Sequence, residues 1–388
     1  MAGAVLAGTP GDRARNTFFD PSRKVGLQQG GSAAEIVHSV RLVLDAGGSP
    51  RGLATGTSFD FSGMPSTEWL VSPANDGGLV AFYAQLEQSV TAAAPAARST
   101  ALARALLALG GTLGILEDAG EPAHVRNDFR EAYLSGGNGS PFDRSSAFER
   151  YVAETYGRSG VPAPGAPVDR PNVVAFISAP DSQGLADRTQ RRFFSPGSLP
   201  EDAIVDRDTN SRDVLMQARD SLPYGLPNIP RLELHEMGRV QYVETADGPG
   251  ALPKRRLMAY ERVPGRVRFF LNAAVYSDSA RLLLPEIGAY AAGLINHLFR
   301  VDLTLAMNGT SVTAKAAGVR GSLRDAQILI YAEDRRGVRA SIASQSFNDS
   351  AEATINIVIP PGTHRLAAVL KGRDQAGQVM AVVDRSVP

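Results

Sequence analysis

The chain has 388 residues, 43% hydrophobic and 21% charged, which is enough for two domains and a sizeable core and excludes a disordered protein. Lys plus Arg equals Asp plus Glu at 40 each, so charge indicates no nucleic-acid partner. The absence of cysteine excludes disulfides, thiolate nucleophiles and Cys-built zinc sites, and the five histidines leave few imidazoles for a metal centre.

Helical periodicity dominates the first part of the chain: Ala33–Asp45, Gly78–Ala93, Ser99–Glu117 and Ser146–Tyr156 each carry it. In Ser99–Glu117 the stripe Leu102, Leu106, Leu109, Leu113 and Leu116 predicts the buried face. The segment Gly157–Arg170 is rich in Gly and Pro and reads as a loop or short linker. Val173–Ile177 fits a short strand or part of a helix. Partial alternation over Asn228–Val243 and Arg255–Phe270 predicts an inserted hairpin, and Asp278–Arg300 a further amphipathic helix. From Val301 the period changes to alternation. Seven strand-like runs follow, the first two flanking an Asn308-Gly309 turn signal, and they predict an all-β immunoglobulin-like sandwich over residues 301–388 behind a mainly α-helical domain, 1–300. No apolar run approaches the roughly 20 residues that span a bilayer. The opening residues lack the basic and apolar regions of a signal peptide.

One stretch carries the chemistry. Ala108–Asp128 reads ALGGTLGILEDAGEPAHVRND, in which Gly111, Gly114 and Asp118 share a helix face and the Glu121-Pro122 turn brings His124 back toward it. Three glycines within one and a half turns each cost about 1 kcal/mol relative to Ala, so either close packing or a cleft must account for them.

This run resembles the zinc-dependent phospholipase C and single-strand nuclease superfamily. So do Arg15-Asn16-Thr17-Phe18-Phe19-Asp20-Pro21 near the start, Gly184-Leu185-Ala186-Asp187 through Arg192-Phe193-Phe194-Ser195, and Leu284-Pro285 through Arg300, in the same order along the chain. The resemblance implies a helical metallohydrolase fold, but Thr17, Gly114 and Ser145 stand where that family has histidines. What it leaves as residual ligands is Asp118, His124 and Glu149. A catalytic zinc needs three protein ligands and an open position for water, and phosphodiester hydrolysis by several metals needs more. The resemblance therefore implies no cofactor or a single weakly bound zinc, with Asp118 the catalytic residue if activity persists.

Other signals are weaker. Asp206, Asp208 and Asn210 start like a calcium loop but lack its turn Gly and bidentate Glu. His235-Glu236 starts like a zinc-protease helix, yet Arg239 stands four residues on. His38, His297 and His364 read as structural. Trp69, Phe59, Phe61, Phe82 and Tyr83 read as core aromatics rather than a lipid-facing rim. Asp12-Arg13, Arg126, Asp128, Arg130 and Asp143-Arg144 bracket the suspected cleft with charge suited to an anionic head group or to solvent.

Three functions follow as expectations. The first is a degenerate, non-catalytic binding or interaction protein, extracytoplasmic by analogy, whose partner is a phospholipid head group or another protein met through the C-terminal sandwich. The second is a metal-dependent phosphodiester hydrolase with a reduced site. The third is a structural component of an assembly.

Overall fold

The computed structural model describes residues 15–30, 60–128, 131–132, 146–200, 203–204, 232–237, 240–245, 255–263 and 266–386. The expected helix 33–45, His38, the 206–210 loop, Phe59, Ser145, Arg130 and the Asp12-Arg13 and Asp143-Arg144 pairs lie outside these residues.

Two short antiparallel strands, β1 (Gln28–Gly30) and β2 (Asp60–Ser62), precede the first helices. Helix α1 is Ser66–Trp69, α2 is Leu79–Thr91 and α3 is Pro95–Asp118, the last with Pro at its first position where no intrahelical N–H is needed. Only three residues separate α2 from α3, and the two pack as an αα-hairpin. The buried stripe of α3 is made of small residues, Ala101, Ala105, Ala108 and Thr112, continued by Ile115 and Leu116. Leu102 and Leu106 are exposed at 46% and 56%. The leucine stripe therefore holds at its C-terminal end, where Leu116 is buried and Leu109 and Leu113 pack against the core, and fails at Leu102 and Leu106. Each of these leucines lies about 100° round the helix from a neighbouring alanine, and the alanine face is the one that lets another element approach closely. By length and composition α3 is also long and apolar enough to cross a membrane, which corrects the expectation of no such run; its C-terminal half lies in the core.

Helices α4 (Pro122–Val125), α5 (Ala147–Tyr156), α6 (Val174–Ile177) and α7 (Leu185–Arg192) follow. Val173–Ile177 thus resolves as helix. The expected hairpin is part of a larger insertion: β3 (Ala203–Ile204), β4 (Leu232–Met237), β5 (Val240–Thr245), β6 (Arg256–Val263) and β7 (Arg266–Phe270) form one antiparallel sheet in the order β3-β7-β6-β5-β4. The long helix α8 (Ala273–Leu298) returns the chain to the core. The segment 157–170 lies along α8 rather than linking domains, with Val168 donating to Ala289 O at 3.1 Å. Gly293 permits this, because a Cβ there would meet Val168 O at 1.9 Å.

All seven expected strands are present: β8 (Asp302–Asn308), β9 (Ser311–Ala317), β10 (Arg324–Glu333), β11 (Arg339–Phe347), β12 (Glu352–Asn356), β13 (Arg365–Asp374) and β14 (Gly377–Ser386). They form a four-stranded sheet, β11-β10-β13-β14, and a three-stranded sheet, β12-β9-β8, an arrangement compatible with a β-sandwich. The first turn sits one residue later than Asn308-Gly309 implies. Asn308 pairs with Ser311, and Gly309, at φ +58°, takes the first central position.

The four-stranded sheet is buried on both faces. Leu366, Ala368 and Leu370 of β13 enter the core shared by the two sheets, while Ala367 and Val369 join Tyr331 and Met380 in the core of the helices, with Phe82, Ala105 and Leu294. Period-2 alternation thus becomes a continuous apolar run, as in sheets covered on both sides. The helical part and the seven strands share one core across the Phe299–Val301 junction.

Polar groups fix that junction. Arg300 and Asp374 pair at 2.6 Å with side chains 7% and 0% exposed, and Tyr83 Oη donates to Gln378 O at 2.9 Å. Arg339 binds Glu333 at 2.7 Å and donates to Val90 O at 2.6 Å, while Arg98 reaches Glu333 and Gly337 O. Burial alone would raise the Asp374 carboxyl, but hydrogen bonds from Arg300 and from the Arg320 and Ala376 N–H groups hold it below 3.8. A depressed carboxyl gives stability that is present above its unfolded value and lost as pH falls through the folded one. Replacing Asp374 with Asn should cost about 3 kcal/mol by leaving Arg300 buried without its counter-charge. In urea, Trp69 fluorescence and β-sheet circular dichroism should shift together, because both halves should unfold in one transition.

Candidate functional site

Three segments singled out in the sequence, 15–21, 108–128 and 184–195, meet around α4. Pro122 opens this single turn, and Glu121 caps it by accepting the His124 N–H at 2.9 Å. Asp20, buried, accepts from Ser22 N, from Ser22 Oγ and from Gln190 Nε2 at 2.7 Å, and the same Gln190 amide donates to Val125 O. The Phe19 N–H donates to His124 O at 3.2 Å.

The Arg126-Asn127-Asp128 triplet ties three further segments down. Arg126 donates from Nε to Phe193 O at 2.6 Å and from Nη2 to Gln190 O, and its guanidinium lies 4.8 Å from the centre of the Phe194 ring. Asn127, at φ +58°, accepts the Gln28 N–H and donates to Gly26 O. Asp128 accepts the Gly197 N–H at 2.6 Å. Arg126 and Asp128 were candidates for gripping an anionic head group. Among the described residues their hydrogen bonds hold backbone, and with Asn127 they pin the chain on either side of α4.

His124 is 4% exposed, its Nδ1 lies 3.1 Å from Thr17 Oγ1, and its ring stacks on Phe18 at 4.6 Å with the planes 4° apart. Thr17 therefore touches His124 across 107 residues of sequence. The other carboxyl oxygen of Glu121 accepts from Ser146 Oγ at 2.9 Å, and Ser146 caps α5 in a box with Glu149: Ser146 Oγ accepts the Glu149 N–H at 3.0 Å and the Glu149 carboxylate accepts the Ser146 N–H at 2.8 Å. The chain of polar contacts runs Thr17, His124, Glu121, Ser146, Glu149. Glu131 lies beside it and accepts the Ala147 N–H at 2.6 Å.

Burial pushes the Glu121 carboxyl well above 4.5, the Glu149 charge adds to the rise, and the Ser146 and backbone hydrogen bonds offset part of it. Tyr276 is raised by burial and then by the charges of Glu131 and Glu121. Glu121 is thus a buried carboxyl pushed toward its neutral form beside the half-buried Glu149.

Of the three residues that the resemblance marks as ligands, His124 meets Glu121 through its backbone N–H and Glu149 reaches it through Ser146. Asp118, half-buried, is the last residue of α3, and its carbonyl accepts the Glu121 N–H at 3.0 Å. Gly111 and Gly114 are buried on the same helix. Among the described residues, no group of three His, Asp or Glu side chains is placed to hold a metal ion. Glu121, Ser146 and Glu131 escaped the sequence reading, although Ser146-x-x-Glu149 carries the spacing of a capping box.

The remaining candidates lie elsewhere. His297 is buried, with Nε2 3.3 Å from Ala376 O, and His364 is in an exposed turn. His235 is on β4. Trp69, Phe82 and Tyr83 are buried in the helical core. No protein-family model matches this sequence, and no curated protein matches it either.

A carboxyl whose folded value is raised favours the fold fully below its unfolded value and loses that contribution as pH rises through the folded one. Glu121→Gln should therefore stabilise the protein at pH 8 by on the order of 1 kcal/mol and leave it little changed near pH 4. Urea midpoints at the two pH values check this; an equal shift at both would count against a neutral Glu121. Thr17→Val removes the His124 contact and should cost about 1 kcal/mol by the same measurement.

Proposed function

We propose that the protein is a non-catalytic relative of the zinc-dependent phospholipase C and single-strand nuclease fold, joined to an immunoglobulin-like domain, and that it acts as an extracytoplasmic binding or interaction protein. The observation that carries this reading is the use made of His124 and Glu149. His124 is buried face to face with Phe18 and directed by Nδ1 at the Thr17 hydroxyl, and Glu149 closes a helix cap. These residues work as parts of a packed polar network. Thr17 contributes a hydroxyl and Gly114 no side chain where the resemblance implies imidazoles. Such a donor set does not fit a centre of two or three metals, which would need more ligands and an open water position.

Two further observations support the reading. The seven strands divide so that the first, second and fifth form one sheet and the fourth, third, sixth and seventh the other, which is consistent with an immunoglobulin-like sandwich whose fourth strand pairs with the third. Leu102, Leu106 and Leu107 are exposed along α3, and an apolar surface of that kind suits contact with another molecule more than turnover of a small one.

The test is zinc stoichiometry by elemental mass spectrometry, on protein purified without chelator and exposed to micromolar zinc, alongside an assay of phosphodiester turnover. The expected result is less than one zinc per chain and no metal-dependent turnover. Two or three zinc ions per chain, or turnover that disappears in Asp118→Asn, would overturn the proposal in favour of a hydrolase.

A further inference from the structure

Four arginines beside the inserted sheet share two carboxylates, and a fifth is left over. Glu286 of α8 is held by Arg188 and Arg192 of α7. Asp278 of α8 is held by Arg256 at 2.9 Å and by Arg281 at 2.8 Å. Arg255, the residue before β6, is the fifth, and it is 3% exposed. Its backbone is fixed against the end of β5, donating to Thr245 Oγ1 at 3.1 Å and accepting the Thr245 N–H at 2.9 Å. Its guanidinium lies 5.0 Å from the centre of the Phe193 ring, and that of Arg192 lies 5.4 Å from the same ring.

Among the described residues only Nη2 of Arg255 has an acceptor, the Arg192 carbonyl at 3.0 Å, and Nε and Nη1 have none. Burial and then the charge of Arg192 lower Arg255 to about 10, against the pull of Asp278 and Glu286, so at neutral pH it is still a cation. A buried cation with unmatched N–H groups is costly, because desolvation is repaid only when both charge and hydrogen bonds are met. Here neither is. A buried water could accept one of the bonds but would not supply the negative charge that the Arg255 guanidinium lacks in direct contact.

We propose that Arg255 and Arg192 form a binding site for a phosphate-type oxyanion, either inorganic phosphate or the phosphoryl group of a larger molecule. Nε and Nη1 point to different sides of the guanidinium, so one anion meets one of them, and the charge of the cluster rather than the shape of the guanidinium selects the ligand. A phosphate-type oxyanion carries up to two negative charges and keeps acceptors free for a second arginine such as Arg192. The outer arginines, Arg188 and Arg256, are about one-third exposed and Arg281 is 64% exposed, so the cluster extends from the buried Arg255 to solvent. The site is built from α7, α8 and the inserted sheet and is independent of the reading given to His124.

The test follows the arginine Nε–H resonances of nitrogen-15-labelled protein as inorganic phosphate replaces chloride at constant ionic strength. The expected result is one Nε–H signal that shifts saturably at millimolar phosphate, with binding about tenfold weaker in Arg255→Lys and unchanged in Arg268→Gln, outside the cluster. A parallel titration with glycerol 3-phosphate separates the sources: tighter binding than phosphate marks an esterified ligand such as a head group, and equal or weaker binding marks the free ion. No saturable shift in the wild-type protein, or the same shift in a folded Arg255→Lys, would overturn the proposal. The wild-type titration decides the matter even if the variant does not fold.

Discussion

Two-sided burial of the β11-β10-β13-β14 sheet is the constraint on which the rest of the architecture hangs. One face of β13 must match the three-stranded sheet and the other must match the helices, so neither neighbour can move without exposing apolar surface. The Arg300–Asp374 pair sits at the seam, almost wholly removed from water. Such a pair adds little net stability over an apolar contact, but it penalises any other register, since a shifted strand would leave a buried charge alone. Arg339 and Arg98 repeat the device at the far end of the sheet, where both bind Glu333 while Arg339 donates to Val90 O of α2 and Arg98 of α3 donates to Gly337 O in the turn between β10 and β11.

Much of the fold was legible because it rests on local periodicity. All seven C-terminal strands, the helices beginning near Leu79, Pro95 and Ala147, and the change of period at Val301 follow from patterns within a single element. Where reading failed, the deciding partner was distant. In α3 two apolar stripes compete, and periodicity cannot tell a leucine face from an alanine face when close approach is what matters. In the insertion, alternation within β5 and β6 was visible, but membership of a five-stranded sheet depends on pairing across loops. The 157–170 segment reads as a linker because its Gly and Pro content is typical of one; its docking depends on Gly293, more than a hundred residues later.

The site was legible in outline and obscure in its chemistry. The segments containing Asn16, His124 and Asp187 were marked out in the sequence, and the first two adjoin in space through the Phe18–His124 stack, while the third reaches them through Gln190. Glu121, which joins the network together, gave no sign of its role. Its behaviour comes from Ser146 and Glu149 on another helix and from burial, and none of these is a property of the Glu-Pro dipeptide itself. Arg255 escaped for the related reason that a lone arginine before a strand looks like any solvated charge until its neighbours are counted.

The order in which the shared core is completed also bears on how the protein is made. Helices α2, α3 and α8 leave the ribosome before β10, β13 and β14, yet those strands cover their apolar faces. At roughly 10 residues per second, the last strand follows α8 by on the order of ten seconds. Throughout that interval the nascent helical part presents an uncovered hydrophobic surface, a ready substrate for a holdase chaperone and a point at which crowded synthesis would favour association between chains.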